Sequence, residues 1–412
     1  MKSKAGITLL VASALAVVAV AAAAAATSGR SAPQAAQAAT ASGLCRTAGL
    51  GIAGPLTGPA GFLGTDQHHW MTLFLSAWNA HKAIPGVPAT LKRVKLKDAL
   101  DGDSQLNPQV AQTVAGQMVS NKSILGMVGF AGSNENLGGG PVLDRAHMAY
   151  VSGSATSDVL TRQLKDFFRV VPNNSKQAGV GVRYIFNNLK LKKGSQVMVV
   201  DDGEAYGVGI ANAAQSLLSS GGAKVDRESL PESTSSATAN FQPLAQKAVA
   251  MGAKLVYAPT QVASDSQLFT QQLKTSGYNG IFFATDGSLD PTSFTFPGAY
   301  VSFFGPGISA ISKSFVNGYK AKYGSKSASD PFGAPSFVAA QMLGIAISKS
   351  CAHGTTSRSA VVKALKSTSL TTSILGYPVA FNNAGDVRRG PAQGVTVFKI
   401  QPDGSYKQVF AG

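Results

Sequence analysis

Residues 124–161 read ILGMVGFAGSNENLGGGPVLDRAHMAYVSGSATSDVLT, and this stretch decides the fold that the sequence predicts. It contains two short apolar runs, Ile124–Phe130 and Ala149–Val151, and each run ends in a loop of small polar residues. Uninterrupted apolar runs of this length are typical of strands that are buried on both faces of a parallel sheet. We therefore interpret both runs as strands of an α/β fold.

The loops that follow these two strands, 131–134 and 152–156, consist of Ala, Gly, Ser, Asn and Thr. In an open α/β sheet, ligands bind beyond the carboxyl ends of the strands, where such loops expose backbone N–H groups at the starts of helices. Together the two loops predict one cradle for an anion, most simply a carboxylate. They offer hydroxyls and amides but no pair of base and nucleophile, which favours a site that holds a small molecule without transforming it.

The chain of 412 residues is longer than a usual single core, which predicts two domains. Strands and helices alternate in two successive runs, before and after Pro172, with no long linker between them. This order favours two doubly wound parallel-sheet lobes. From Ile308 onward the pattern is mostly helical and ends in strands 395–400 and 406–410, an order that favours a return to complete the first lobe.

Two elements near the start of the fold are predicted from local pattern. A helix begins with Thr65 as its N-cap, because apolar residues recur on one face from Trp70 to Trp78. Residues 91–96 alternate between polar and apolar side chains and are predicted to form a strand.

The N-terminal segment has the order of a secretory signal. Lys2 and Lys4 precede an uncharged run over 5–29, and a segment of small residues then extends to Gly43. Residues 1–44 are therefore predicted to be a signal peptide with a low-complexity segment, so that the exported protein is extracytoplasmic.

Cleavage after Ala26 or Ala38 would leave a fold that begins near Cys45. The apolar run is nearly long enough to span a bilayer, so an uncleaved anchor remains the alternative. Cys45 lies far beyond that run and follows Ser42-Gly43-Leu44, which resembles a bacterial lipobox poorly. We therefore do not expect a lipid anchor.

The sequence contains two cysteines, Cys45 and Cys351, which allow a single intramolecular pairing. In an exported protein, we expect them to form a disulfide between the start of the first strand and the end of a late helix. The alternative is two unpaired thiols.

The formal net charge is +16, and removal of residues 1–38 lowers it to +13 because Lys2, Lys4 and Arg30 leave with no acid. Nucleic acid is the usual partner of so basic a chain. However, the Lys and Arg residues are scattered singly or in small groups such as 190–193, without a basic helix or interleaved aromatic residues. We therefore predict a solvated basic surface and no nucleic-acid partner.

Motifs of the common enzyme classes are missing from the sequence. Gly102-Asp103-Ser104 is followed by Gln105 where a serine-protease motif has glycine, and no Gly-x-Ser-x-Gly or Walker-type Gly-Lys-Ser/Thr occurs. His68 and His69 are adjacent and so point to different helix faces, and no His-Glu-x-x-His or Cys-x-x-Cys is present. We predict no enzyme activity, no cofactor and no metal.

Several short motifs, in this order and spacing, resemble the type I periplasmic-binding-protein superfamily, and specifically the leucine/isoleucine/valine-binding-protein-like receptors of branched-chain amino-acid ABC importers. The resemblance covers essentially everything after Cys45. The motifs that carry it are Gly54-Pro55-Leu56-Thr57-Gly58, Val128-Gly129 before Ser133, Ser154-Ala155-Thr156 with Leu160-Thr161, the loop from Asp201 to Tyr206-Gly207, Phe241 before its helix, and Asp286-Gly287.

The resemblance implies two lobes that are joined by three crossovers and close around a ligand. The crossovers are expected near Val171, Phe304 and Pro391. The implied lobes are residues 45–171 plus 305–391 and residues 172–304 plus 392–412.

The resemblance also implies roles for individual residues. In the family, hydroxyls and backbone amides of the first lobe hold the carboxylate of the ligand, and an acid of the second lobe holds its ammonium group. Tyr206 of the second lobe would form an aromatic wall of the ligand site, and Asp286 would bind the ammonium group. The residues of the implied carboxylate cradle are Ser133, Ser154, Ala155 and Thr156.

Each of these residues also has a purely structural alternative. Ser133 could only cap a helix, Ser154 and Thr156 could be turn residues, Tyr206 could be core, and Asp286-Gly287 is a common turn. 

This sequence departs from branched-chain receptors at two positions, because Gln261 and Leu63 stand where aromatic residues are common in the family. These departures leave the side chain of the solute open, since related receptors take amides, other polar amino acids or aromatic acids.

The expected function is that of an exported solute-binding protein of an ABC importer. It would act as a monomer, capture a small carboxylate-bearing solute such as an amino acid, and deliver it to a membrane ABC permease. A sensory ligand-binding protein of the same fold is the main alternative. A third hypothesis is that the protein is an enzyme, which only turnover of the bound solute would support.

Overall fold

The structure is a computed structural model that describes residues 41–231, 239–324, 332–388 and 394–411. Helices and strands alternate along most of these residues, as the sequence predicts. The α-helices are α1 (Ala41–Leu44), α2 (Gly61–Asn79), α3 (Pro108–Ser120), α4 (Ser133–Arg145), α5 (Leu160–Gln163), α6 (Asn174–Asn187), α7 (Ala205–Ser220), α8 (Gln242–Ala250), α9 (Ala263–Thr275), α10 (Lys313–Tyr323), α11 (Gly333–Ser350) and α12 (Arg358–Lys366).

The first sheet is entirely parallel and contains the two apolar strands of the opening stretch. Its strand order is β2-β1-β3-β4-β5. The strands are β1 (Thr47–Gly54), β2 (Lys95–Asp103), β3 (Ile124–Gly129), β4 (Ala149–Ser152) and β5 (Phe167–Arg169). Every residue of β3 and β4 is buried, which explains why neither strand shows a polar alternation.

The second sheet has seven strands in the order β14-β13-β10-β9-β8-β6-β7. Its pairs are parallel except for β10 with β13 and β13 with β14. The strands are β6 (Gln196–Asp201), β7 (Lys224–Ser229), β8 (Leu255–Ala258), β9 (Ile281–Ala284), β10 (Tyr300–Phe303), β13 (Thr396–Ile400) and β14 (Tyr406–Ala411). A separate two-stranded sheet pairs β11 (Ser369–Leu370) with β12 (Val379–Ala380). The fold is thus α/β with two largely parallel sheets, as predicted.

Late elements of the chain return to the two sheets. Helices α11 and α12 pack against β3 and β4 of the first sheet, whereas β13 and β14 pair in the second. The predicted crossovers near Val171 and Phe304 follow the last strand of the first sheet and β10. The third, near Pro391, lies outside the described residues, and the exact lobe boundaries remain predictions.

The predicted start of α2 is wrong. The helix begins at Gly61 with Ala60 as its N-cap residue, so Thr65 lies inside it. The reason is tertiary: the helix packs on the preceding turn so closely that a Cβ at Gly64 would lie 2.0 Å from the carbonyl oxygen of Pro55. Only glycine permits that approach, which lets the first turn of α2 pack against the chain just after β1.

The predicted strand at 91–96 is also wrong, since β2 spans Lys95–Asp103. This strand is at the edge of the sheet and its exposed side chains do not alternate regularly. Its register against β1 shifts between Leu50 and Gly51, which pair with Asp98 and Leu100 and leave Ala99 unpaired. A bulge of this kind breaks the period of two within β2 itself, so the regular alternation at 91–96 indicated the wrong stretch.

The two cysteines are joined as predicted. Cys45, just before β1, and Cys351, the C-cap residue of α11, form a disulfide with their Cα atoms 5.4 Å apart. The alternative of two unpaired thiols therefore does not hold in this structure. Among the described residues, none of the helices combines the length and apolar character needed to cross a bilayer.

Candidate ligand-binding site between the two sheets

The two loops predicted to form one cradle come into contact at the carboxyl edge of the first sheet. Ser133 is the first residue of α4, and its buried Oγ accepts a hydrogen bond of 3.2 Å from the backbone N–H of Ser157. The Ser133 hydroxyl proton has no acceptor among the residues that the structure describes. It is therefore available to a ligand.

Glu135 fixes the first of these loops, and the sequence reasoning missed it. Its carboxyl group accepts hydrogen bonds from the backbone N–H of Gly132 and from the hydroxyl of Ser104. Burial raises the pKa of Glu135 to about 8. Its position, three residues after the N-cap Gly132, is the one sequence signal that could have identified it.

Ser154 lies at the predicted cradle but its hydroxyl is already used twice. It accepts a hydrogen bond from Nε2 of Gln67 at 2.7 Å and donates one to the carbonyl oxygen of Ala131 at 2.7 Å. A carboxylate could bind this hydroxyl only if the bond to Ala131 were given up. The geometry favours a role for Ser154 in holding the two loops and α2 together.

Thr156 differs from Ser154 in this respect. Its Oγ1 is fully buried and has no hydrogen-bond partner in the described part of the chain. Its carbonyl oxygen accepts a hydrogen bond of 2.8 Å from the backbone N–H of Asn174, at the start of α6. Thr156 therefore lies where the first sheet meets the second half of the molecule.

Arg169, the last residue of β5, holds the loop that contains Ala155. The guanidinium is fully buried and donates to the carbonyl oxygens of Ala155 at 3.1 Å and Ser157 at 2.8 Å. Its Nε pairs with Asp386 at 2.6 Å. The Ala155 amide donates to Ser152 Oγ at 2.9 Å, so both backbone groups of Ala155 are used within the loop.

The two residues predicted for the second lobe, Tyr206 in the first turn of α7 and Asp286 just after β9, are in direct contact. The Tyr206 hydroxyl donates to Oδ1 of Asp286 at 2.7 Å, and Nε2 of Gln177 donates to the same oxygen at 2.5 Å. Burial raises the pKa of Asp286 to about 6, while the bonds from Tyr206 and Gln177 oppose that rise. Both predicted residues are buried.

Hydrogen bonds connect the residues of the two sheets. Nδ2 of Asn174 donates to the carbonyl oxygen of Tyr206 at 3.0 Å, and the same residue binds Thr156 through its backbone. The backbone N–H of Ala205 donates to Oδ1 of Asn134 at 2.9 Å. Thr156 is thus linked to Asp286 through Asn174 and Tyr206.

Leu63 and Gln261, which stand where the family commonly has aromatic residues, differ in their surroundings. Leu63 is part of the hydrophobic core around α2. Gln261 is half-buried, and its backbone N–H donates to Asp202 at 2.5 Å. Burial raises the pKa of Asp202 to about 7, and its other oxygen accepts from the N–H of Glu204, so Asp202 stabilises its own loop.

A cavity of about 540 Å³ lies elsewhere, beside α9 and the residues that precede β9 and β10. It is lined by Leu273, Lys274, Tyr278, Phe282 and Phe296, among others, and contains none of the predicted site residues. The cavity is therefore separate from the residues around Thr156 and Asp286. The buried, unpartnered polar atoms at the predicted site are the more specific signal, because such groups are normally hydrogen-bonded.

A single group of potential metal ligands was found in the described ranges, and it consists of His68, Asp98 and Asp101. Nε2 of His68 lies 3.1 Å from Asp98 and 3.3 Å from Asp101. The carboxylates of Asp101 and Asp98 accept hydrogen bonds from His68 and raise its pKa to about 9, so the imidazolium pairs with both acids and offsets part of their charge. The arrangement is a surface ion-pair cluster.

Comparisons with known proteins identify the family of this chain. A family model described as periplasmic binding protein matches residues 47–405. An amino acid binding protein of Pseudomonas aeruginosa is 30% identical over 239 residues, or 58% of this chain and 60% of the relative. A Leu/Ile/Val-binding protein homologue of Brucella melitensis is 28% identical over 239 residues, 58% of this chain and 61% of the relative. The matches thus span about three fifths of these relatives.

Solved structures show the same fold over nearly their whole length. A leucine-binding protein of Thermotoga maritima has a TM-score of 0.75 and 19% identity, with 88% of this chain and 98% of that chain covered. A branched-chain amino acid transporter substrate binding protein of Streptococcus pneumoniae in complex with isoleucine has a TM-score of 0.72 and 17% identity, with coverage of 88% and 98%. A solute-binding protein of Rhodopseudomonas palustris in complex with benzoate has a TM-score of 0.71 and 14% identity, with coverage of 89% and 96%.

Proposed function

Because this chain belongs to the periplasmic binding protein family, we propose that it is an extracytoplasmic solute-binding protein of an ABC importer. It captures a small carboxylate-bearing solute, an amino acid of the branched-chain type or a related one, and delivers it to a membrane permease. The observation that carries this proposal is that hydroxyl donors suited to a carboxylate are linked by hydrogen bonds to an acid suited to an ammonium group. The hydroxyl proton of Ser133 and the unpartnered hydroxyl of Thr156 lie beyond strands of the first sheet, and the carboxylate of Asp286 lies just after β9 of the second.

In this proposal the first lobe consists of residues 45–171 plus 305–391 and the second of residues 172–304 plus 392–412. The solute is enclosed when the lobes close. The separation of the strands into two sheets supports this division, and the hydrogen bonds from Asn174 to Thr156 and Tyr206 join the two sides.

Each site residue has a distinct proposed role. The hydroxyls of Ser133 and Thr156 donate to the solute carboxylate, and Asp286 pairs with its ammonium group. Tyr206 is the wall from the second lobe and orients Asp286 through its hydroxyl. Ser154 and Ala155 give the loop its shape.

A thermal-shift screen of amino acids, amides and aromatic acids tests the function. A solute that binds only the folded state stabilises it by about 2.7 kcal/mol at one hundred times its dissociation constant. We expect an amino acid to raise the melting temperature most. A screen in which no carboxylate-bearing solute raises it would contradict the proposal.

Substitution of Asp286 tests the proposed ammonium contact. Asp286→Ala should weaken amino-acid binding by about 2–5 kcal/mol, since it removes one member of a buried charge pair. Affinity of the unmodified protein should also fall as the pH drops below about 6, where Asp286 takes up a proton. Isothermal titration calorimetry from pH 5 to 8 measures both effects.

Asp290→Asn is the matched control, because Asp290 is a buried acid of the same segment whose carboxylate binds Thr292. Its affinity for the solute should match that of the unmodified protein. Equal binding of an amino acid by Asp286→Ala would show that the second-lobe contact is misplaced.

A further inference from the structure

We propose that Asn174 and Gln177 are specificity-determining residues that select a solute with N–H donors, in the first place an ammonium group, over a carboxylate that has none. This inference rests on the proposed function and gives α6 a selecting role beyond the hydrogen bonds by which it joins Thr156 and Tyr206. Both residues are fully buried in the first turns of that helix.

The position of the two side chains follows from helix geometry. Residues three apart lie on the same face of a helix, so Asn174 and Gln177 face the same region. Asn174 binds the Thr156 carbonyl through its backbone and the Tyr206 carbonyl through its side-chain amide. Gln177 binds Asp286. The two residues therefore stand between the proposed carboxylate cradle and the proposed ammonium partner.

The hydrogen bonds determine which atom of each amide points to its partner. Nδ2 of Asn174 donates to a carbonyl oxygen, and Nε2 of Gln177 donates to the Asp286 carboxylate and, at 3.3 Å, to the hydroxyl of Ser302. In the flipped orientation, an amide oxygen would face another oxygen in each case. Both amide oxygens, Oδ1 of Asn174 and Oε1 of Gln177, are thus directed away from these partners.

These two amide oxygens are buried and have no hydrogen-bond partner within the described ranges. A buried acceptor left unpaired costs about 1–3 kcal/mol. Amide oxygens and an ionised carboxylate only accept hydrogen bonds, so the unpartnered oxygens of Asn174 and Gln177 add acceptors to the segment that binds Asp286 through Gln177. An ammonium group, with three donors, can pair with such acceptors.

A solute with a carboxylate and no amine would leave these acceptors unpaired. Sites that are built to hydrogen-bond a group discriminate strongly against analogues that lack it, because their own buried polar atoms are then left without partners. Solutes such as benzoate, which is bound in one structure of the same fold, should therefore bind this protein poorly.

The test compares Gln177→Met with Gln341→Met in the full-length exported protein. Gln341 is the matched control, because it is also fully buried, has an unpartnered Oε1, and donates through Nε2 to a carbonyl oxygen, that of Pro85. It lies in α11, on the first sheet. Methionine keeps the length of glutamine and removes both polar atoms.

The probes are L-leucine with 4-methylpentanoate and L-phenylalanine with 3-phenylpropanoate, each an amino acid with its deaminated analogue. We expect the unmodified protein to prefer an amino acid to its analogue. Gln177→Met should reduce that preference by about tenfold to a hundredfold, the range for hydrogen bonds to a charged group. The affinity for the amino acid should fall, and the affinity for the deaminated analogue should not change. Gln341→Met should keep the preference.

A pH titration of binding adds a readout that a merely structural role would not change. Loss of the hydrogen bond from Gln177 should raise the pKa of Asp286 above its value of about 6, so the midpoint of amino-acid binding moves to higher pH. The other titratable groups facing Asp286 are Tyr206 and Tyr257, and burial raises the pKa of both further above neutrality.

The outcomes separate this inference from the proposed function. If the unmodified protein binds neither member of either pair, the amino-acid function fails, and the inference with it. If it prefers an amino acid and Gln177→Met keeps the full preference and the same pH midpoint, the inference alone is overturned. Should Gln177→Met not fold, Asn174→Ala takes its place, with loss of preference as the supporting result and retention as the opposing one.

Discussion

Ser154 and Thr156 are two residues apart in one loop, yet their hydroxyls differ in what they can do. Ser154 Oγ is bonded to Gln67 and to the carbonyl oxygen of Ala131. Thr156 Oγ1 is buried without a partner in the part of the chain that is described. At the scale of the residue, ligand contact and loop structure are therefore assigned to different members of one motif.

Conservative substitutions should separate these two roles. Thr156→Val keeps the shape of the side chain, so it should leave the melting temperature unchanged or higher and weaken solute binding by about 1.5–3 kcal/mol, the range for a hydrogen bond to a charged group. Ser154→Ala should instead lower the free energy of unfolding by about 1–3 kcal/mol, since the Gln67 amide and Ala131 carbonyl lose their partner.

Calorimetry with the best solute and urea unfolding of both variants make the comparison. The assignment would be reversed if Ser154→Ala lost binding at full stability while Thr156→Val bound normally.

Glu135 should make stability depend on pH. Below its ordinary pKa of 4.5 it is protonated in both the folded and the unfolded chain. At higher pH the unfolded chain releases the proton, whereas the folded protein keeps it up to about pH 8. The free energy of unfolding should therefore decrease with rising pH in this window, by about 1.4 kcal/mol per pH unit.

Glu135→Gln removes this titration and keeps the shape of the protonated acid. The stability of the variant relative to the unmodified protein should accordingly rise between pH 5 and pH 8, measured by urea unfolding. Ser104→Ala is the control, because it removes a partner of Glu135 but leaves the carboxyl group in place. Parallel pH curves for Glu135→Gln and the unmodified protein would show that Glu135 is ionised in the fold.

At the scale of the element, the short strand β5 supports the site through its last residue. The guanidinium of Arg169 donates hydrogen bonds to the carbonyl oxygens of Ala155 and Ser157, and its charge is paired with Asp386. The backbone N–H of Arg169 also donates to Gly385. A late segment of the chain thus anchors a loop that is more than two hundred residues earlier.

Helix α11 is anchored in a different way, by the covalent bond at its C-cap residue. Its residues from Gly333 to Ser348 are all buried, and Cys351 connects its end to the residues before β1. The Cys45→Ser/Cys351→Ser double variant should lose about 2–5 kcal/mol of unfolding free energy, the usual cost of removing a native disulfide.

Urea unfolding of the double variant checks this value, and the fully reduced unmodified protein is the control and should match it. Labelling of both cysteines by a thiol reagent in the native protein without reductant would contradict the disulfide.

At the scale of the whole molecule, the predicted export segment would decide where the protein operates. The expected cleavage sites lie outside or at the edge of the described residues, whereas Leu44 is already part of the core and Cys45 is bonded. N-terminal sequencing of the secreted protein should therefore begin between Ala26 and Ser42. An intact Met1 in the membrane fraction would instead support the uncleaved anchor.

The sequence by itself determined the α/β class, the location of the two polar loops after β3 and β4, and the pairing of the cysteines. These features are local or have a single solution. Apolar runs of strand length, small residues at their ends and a single possible pairing can all be read without knowing what packs against them.

Tertiary structure alone decided how the site is built. Asp286 gains its contacts from Tyr206 and Gln177, and Arg169 gains its counter-ion Asp386, across separations of 80, 109 and 217 residues. No periodicity relates residues that far apart. The bulge in β2 and the early start of α2 likewise depend on packing against β1 and Pro55, and so the sequence pattern placed both elements incorrectly. A buried polar atom is recognised as unpartnered only when all its neighbours are known. The sequence therefore gave no sign of the unpaired amide oxygens of Asn174 and Gln177, which only the folded structure shows.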